Sequence, residues 1–556
     1  MINRIICFIK EQAESSDNMI AEMVYIAYLA VLYFVRGIGG YEGQLLFNIA
    51  LVIGLLLFGL KVLITDHSIV EYFVIASLIA LGFIIYIRTG EKWFLLNITM
   101  LLGIKDVDSK RALNVVLFVL SVTFSFCFIL CMTGLVEPVR MLHPKTGIGF
   151  VLCYGMIYAH PNSLHSMFLL IEALIIYKVG IVKGKKLLLF VTALIVANVY
   201  IFLYSFSYTG FLSVNILIFI YVIMCFRSNI GKFGRIIIQL IFPISLAFSM
   251  IGPLVIKGRA FDIINKLLST RYNLSRYFLT EQPKTLFGTT FVIPDYLEHY
   301  TMDCSYVYLF MQYGIIAFVV MSIGYLILIN YLIKKNEKVE LAITLAFCIG
   351  GIAEPYLFNS SFKNITLIFM GIMFYDLIGR RPGDRAFSGT FRILDISNID
   401  LKIRKRIATK NEEQITRKIT ADSVDREYRI TNNSRKANSR MCVIPLIVGI
   451  ICILIYIIDT DNIKGLYISE ELNQARSDAQ VFYLTQDDVS QLEDEGYEVL
   501  DYTSASEPMY EYVGMTGTME YTRRVVSVML WSFAVAVAAE LIYIQRKNGY
   551  RRDKSE

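Results

Sequence analysis

The sequence predicts an all-α polytopic membrane protein, and three observations carry that expectation. The chain is 56% hydrophobic and 18% charged, with a mean hydropathy of +0.56, whereas average soluble domains carry about 25% charged residues. Apolar stretches of about twenty residues, the length a helix needs to cross a bilayer, recur along most of the 556 residues. Lysines and arginines gather in alternate short connections, as they do on the cytoplasmic side of membrane proteins.

The elements follow in order. Residues 1–18, "MINRIICFIKEQAESSDN", read as a cytoplasmic or interfacial leader, because no cleavage site follows the short apolar run. Apolar runs place helices at 19–35, 45–64, 72–87, 93–104, 113–132, 163–177, 187–204, 210–226, 236–256, 305–333, 341–357 and 365–378. The bundle therefore has about twelve helices across 19–379. The connections "KDVDSKR", "KVGIVKGKK", "FRSNIGKFGR" and "IKKNEKVE" all fall on one side if the N-terminus is cytoplasmic. Omitting the short helix at 93–104 would break that pattern. Residues 380–440 are polar and basic, and read as a cytoplasmic linker brushing anionic headgroups. A C-terminal two-helix hairpin follows at 441–458 and 525–544, with both termini cytoplasmic. Between its helices, 459–523 are acidic and predict a small extracytoplasmic α/β module. The nine cysteines lie mostly in apolar runs without CxxC spacing, so they read as buried thiols.

Polar residues concentrate on the extracytoplasmic side. The loop 257–303 holds Arg259, Lys266, Arg271, Arg276 and Lys284. Periodicity predicts a helix over 260–278 with Asn265, Ser269, Tyr272 and Arg276 on one face, and Arg271 about 140° from it at roughly 100° per residue. A guanidinium at a membrane surface suits a diphosphate, which it grips through paired hydrogen bonds. The plainer alternative is a solvated amphipathic helix. "YAHPNSLHSMF" puts His160 and Asn162 beside Pro161, a residue suited to the first turn of a helix. His160 is a candidate base, or simply a helix cap; the spacing to His165 does not suit zinc. "HYTMDCSYVYLFMQYG" carries His299, Asp303 and Tyr306 at the mouth of a span, where Asp303 can act as a base, a helix cap or both. Among acids within spans, Glu354 in "AEPYLF" ranks above Glu172, with Glu540 in the last helix.

"KTGIGF", "HPN", "YSFSYTGF", "INKLLSTR", "LFG" and "DCSYVYLFMQYG" followed by "AEPYLFN" occur in that order. In this series the chain resembles the O-antigen and capsular polysaccharide repeat-unit polymerases of bacteria, a superfamily shared with the O-antigen ligases. The resemblance covers roughly 19–376. It implies a C-type glycosyltransferase-like bundle in the bacterial cytoplasmic membrane, metal-independent and without cofactor. The enzyme would join undecaprenyl-diphosphate-linked repeat units into surface or capsular polysaccharide. The implied partners are the lipid-linked donor and acceptor, membrane lipids, and a chain-length regulator or flippase, with no nucleic acid. By position, the resemblance implies a catalytic set of Asp303, His160 and Arg271. Arg276, Arg259, Arg140, Lys145, Asn162, Tyr208, Tyr306, His299 and Glu354 stand as substrate-binding candidates. Two departures are visible: Tyr208 replaces an arginine in the relatives' Ser-Arg-Thr-Gly, and Cys304 replaces an asparagine. A ligase-type transferase, a lipid-linked glycan flippase and a non-catalytic scaffold are the competing readings.

Overall fold

The computed structural model describes residues 18–41, 43–132, 135–145, 149–227, 229–291, 302–358, 364–378, 389–395, 400, 448–452, 454, 528–529 and 531–539. Among them nine helices are long and apolar enough to cross a membrane. These are α1 (Met19–Gly37), α2 (Leu45–Ile64), α3 (Ile69–Thr89), α5 (Ser109–Met132), α6 (Pro161–Val179), α7 (Lys185–Ser205), α8 (Tyr208–Phe226), α9 (Lys232–Met250) and α14 (Gly314–Lys335). Shorter helices are α4 (Trp93–Leu102), α10 (Gly252–Val255), α11 (Gly258–Leu267), α12 (Arg271–Glu281), α13 (Ser305–Gln312), α15 (Lys338–Gly350) and α16 (Thr366–Ile378). Strands are few: β1 (His67–Ser68) pairs antiparallel with β4 (Thr390–Phe391), and β2 (Val139–Lys145) pairs with β3 (Gly149–Met156). The β2–β3 pair was not legible as such in the sequence, where "KTGIGF" bridges its two strands.

The chain divides into two compact units. The first comprises Met1–Val139, Gly155–Val199 and Ser207–Glu412; the second comprises Arg140–Tyr154, Tyr200–Phe206 and Glu413–Glu556. Within the second unit, Tyr154 and Tyr204 pack ring to ring at 5.3 Å. Helical residues at 448–452 and 531–539 approach each other there, with Gly449 facing Ser532 and Phe533. The predicted leader, most of the linker, the module at 459–523 and Glu540 lie outside the described residues.

Helix boundaries follow local chemistry. Ser68 and Glu71 form a reciprocal capping box at the start of α3, and Gly90 closes that helix in the left-handed region. His160 and Ser207 cap α6 and α8, each accepting a backbone N–H through its side chain. On the long helices, residues such as Leu45, Phe73, Ile87 and Leu188 are exposed. A continuous apolar exterior of this kind is the surface a bilayer covers.

The short helices behave in the opposite way. Every residue of α4 is buried, and nearly all of α15. After Gly350 the backbone leaves the α-helix, with one 3-10 turn at Pro355–Leu357, and side chains bond carbonyls on either side of that point. Tyr306 donates to the carbonyl of Cys348 at 2.6 Å, Ser305 to that of Glu354 at 2.6 Å, and Asn97 to that of Phe358 at 2.9 Å. Asn364 donates to Leu357 O at 2.7 Å, while Ser305 Oγ accepts the Leu357 N–H at 3.1 Å. Irregular backbone is tolerated inside a membrane bundle when protein groups satisfy it in this way.

Loops predicted to share a side are joined by contacts. Lys61 donates to Lys105 O at 2.7 Å, Lys105 pairs with Glu71, and Arg111 lies 3.4 Å from Glu22. Arg392 Nε donates to Asp66 Oδ1 at 2.9 Å and, with its second contact, holds that carboxyl below its ordinary pKa. Lys338 donates to Arg227 O at 2.7 Å.

One predicted helix is two. The run expected over 260–278 breaks at Ser269 and Thr270, both at positive φ (50° and 66°), so α11 ends at Leu267 and α12 starts at Arg271. The Asn265 side chain accepts the Asn273 N–H at 2.8 Å and spans the break. The shared face expected for Asn265, Ser269, Tyr272 and Arg276 therefore does not run through the segment. The run expected over 305–333 is likewise divided, at Gly314.

That division explains the glycines of "LFG" and "MQYG". Gly288 and Gly314 both sit at positive φ, 75° and 84°, and meet backbone to backbone. Ile315 N donates to Thr285 O at 3.0 Å and Ile316 N to Leu286 O at 3.2 Å. A Cβ on Gly314 would stand 2.3 Å from Gly288 N. Gly314→Ala is expected to lower stability by about 1–3 kcal/mol, read as an earlier unfolding transition of the full chain in detergent.

Candidate functional site

The strained turn at Ser269–Thr270 delivers Arg271 as the first residue of α12 and turns its side chain inward. Its Nη2 donates to Glu354 Oε1 at 3.2 Å, and its Nε lies 3.3 Å from Asp303 Oδ2. Thr209, in the first turn of α8, donates its hydroxyl to the same Glu354 oxygen. Four segments distant in sequence thus meet at one point: "STR", "DCS", "AEP" and "YTG".

Burial ranks the members. The side chains of Arg271 and Glu354 are 10% and 8% exposed, while that of Asp303 is 31% exposed. Asp303 is therefore the carboxylate that an incoming group can reach. Glu354 is the inner counter-ion, with its own carbonyl held by Ser305. Two carboxylates face one guanidinium, so the cluster carries a formal charge of −1 when all three are ionised.

The other candidates are placed as follows. Arg276 spends its guanidinium on backbone, donating to Pro253 O at 2.6 Å and Ile256 O at 2.7 Å, and it stacks 3.7 Å from the centre of the Phe261 ring. Arg259 is exposed on α11. His160 caps α6, its Nδ1 accepting the Asn162 N–H at 3.0 Å; both residues are half-buried. Tyr208 is half-buried at the start of α8. Tyr306 is fully buried, its hydroxyl committed to Cys348 O. Arg140 and Lys145 lie on β2, in the second unit. His299 lies outside the described residues. Glu172 is buried within α6, and neither carboxylate oxygen has a hydrogen-bond partner among the described residues.

Sequence reading passed over one residue that organises this face. Thr209 sits inside "YSFSYTGF" with no role of its own expected, whereas Ser305 stands with Asp303 and Tyr306 among the polar residues expected at the mouth of that span. The signal for Thr209 was its place beside a motif glycine. Gly210 marks where α8 crosses α6: an added Cβ would lie 2.5 Å from His165, whose ring bonds Asn198 Oδ1 at 2.8 Å.

No family model matches the chain, and no curated protein or solved structure does.

Removing one partner of a buried ion pair strands the other. Glu354→Ala and Arg271→Ala are each expected to destabilise the chain by about 3 kcal/mol. The double variant should cost clearly less than the sum, as a denaturation cycle in detergent would show. Asp303→Asn, at the partly exposed edge, should cost about 1 kcal/mol or less.

Proposed function

We propose that this protein is a polysaccharide repeat-unit polymerase, transferring a glycan from a lipid diphosphate to the hydroxyl of the next lipid-linked unit. The observation that carries the reading is the cluster of Arg271, Asp303 and Glu354. It places an accessible carboxylate against a buried guanidinium at one end of the helix bundle. Glycosyl transfer to a hydroxyl needs a base held at the acceptor oxygen, and an accessible carboxylate fixed by a guanidinium can serve as one.

Asp303 has the position for the base. Its side chain is the most exposed of the three, and Arg271 holds it in one orientation. Proton transfer from the acceptor hydroxyl to Asp303 would accompany attack on the anomeric carbon, while the glycosidic bond to the diphosphate breaks. Glu354 and Thr209 hold Arg271 in place from the inner side. His160 and Asn162 belong to the first unit, at the start of α6, where they can meet sugar hydroxyls.

The site lies in loops and helix ends, which suits chemistry at the membrane surface better than a transport path through the bundle. Under the positive-inside rule this end of the bundle faces outward, opposite the basic connections. An assay in a producing cell separates the alternatives. Asp303→Asn is expected to reduce polymerisation about 100-fold or more, leaving single repeat units while protein level and membrane insertion stay normal. Arg271→Ala should give the same product pattern. A normal ladder of chain lengths from Asp303→Asn would overturn the reading.

A further inference from the structure

A second buried guanidinium stands in the first unit, and no carboxylate among the described residues pairs with it. Arg36, in the last turn of α1, is 8% exposed. Its Nη1 donates to Gly40 O at 2.7 Å, and its Nε has no hydrogen-bond partner among the described residues. The titratable group that acts on it is the Tyr158 phenol, which itself donates to Gly37 O at 3.0 Å. Here a largely buried cation keeps its Nε unpartnered and has no carboxylate partner among the described residues. Such burial costs several kcal/mol unless an anion completes it, and an ionisable group at the end of a membrane helix is a binding-site candidate by default.

The position can be followed residue by residue. Tyr158 lies two residues before His160, the cap of α6. His165, one turn further along α6, packs on Gly210. Thr209, the neighbour of Gly210, reaches Glu354 and thereby Arg271. A run of contacts through the starts of α6 and α8 thus links Arg36 to Arg271 within the first unit.

Their electrostatics differ. Arg271 is over-compensated by two carboxylates, a surrounding that repels a diphosphate; Arg36 pairs with none among the described residues. A guanidinium with an unspent N–H matches the geometry of a phosphate oxyanion. Gly37, Gly39 and Gly40 pack closely on Thr123, Ile157 and Val35, which fixes the backbone that carries the guanidinium. We propose that Arg36 binds a phosphate of the lipid-linked donor, and that Arg271 is a positioning residue that holds Asp303 and Glu354. The identity of the anion rests on the glycosyl-transfer reading; the presence of an anion site rests on Arg36 alone.

The test uses the full chain in nanodiscs of neutral phosphatidylcholine, titrated with farnesyl diphosphate as a short lipid-diphosphate probe. Arg36→Gln is expected to weaken binding by about tenfold or more, with Arg36→Lys intermediate. Arg271→Gln should change binding by less than about threefold while abolishing transfer. Unchanged binding in Arg36→Gln overturns the proposal and leaves the polymerase reading standing. A wild-type chain that binds no farnesyl diphosphate overturns both. Equal competition by inorganic pyrophosphate, or by phosphatidylglycerol included in the disc, overturns the assignment to a lipid diphosphate. Should Arg36→Gln fail to fold, Arg271→Gln decides: retained binding supports the assignment, and lost binding places the anion on Arg271 and overturns it.

Discussion

A guanidinium taken out of water must find negative charge, and around Arg271 that requirement organises one end of the helix bundle. Its carboxylate partners come from the start of α13 and from the non-helical stretch after α15, and the hydroxyl that braces one of them comes from α8. None of these groups is close to another in sequence. Each arrives because its own helix ends at that level, and the ion cluster then ties those ends together. The left-handed turn at Ser269–Thr270 is the local strain that accompanies this arrangement. Without the break, a continuous helix would carry Arg271 away from both acids.

The same requirement for satisfaction accounts for the shortness of the central helices. A helix facing lipid must keep all its backbone hydrogen bonds to itself, and the exposed spans are accordingly long and apolar. A helix enclosed by protein can stop early, provided side chains meet the freed carbonyls. Tyr306, Ser305, Asn97 and Asn364 do so around 348–358. Glu354 is held in that stretch, so the irregular backbone is also the device that presents an acid to Arg271. Packing and site are thus one structure: the polar side chains that bond the backbone around the end of α15 also position the residue that anchors the cluster.

The motifs of the sequence divide into two kinds when placed in space. "LFG" and "MQYG" are packing motifs, two positive-φ glycines in backbone contact that set the angle between α13 and α14. "STR", "DCS", "AEP" and "YTG" are the cluster itself. From sequence alone both kinds look alike, as short polar or glycine-bearing stretches near helix ends. Arg276 shows the difficulty from the other direction. It was expected on one face with Asn265, Ser269 and Tyr272 as a binding candidate, yet its guanidinium is spent on the carbonyls of Pro253 and Ile256.

Hydrophobic length and the alternation of basic connections are local properties, so the sequence by itself determined where the spans lie and which loops share a side. Most described helices stay within a few residues of those expectations; the exceptions are the breaks at 269–270, Gly314 and Ile251 and the run expected over 341–357, whose α-helix stops at Gly350. Which buried cation owns a carboxylate is not local. It depends on segments some eighty residues apart reaching one point, as Arg271 and Glu354 do, and on Arg36 finding no carboxylate among the described residues. That distinction belonged to the tertiary structure alone, because a charge inside a protein is defined by what the fold brings beside it.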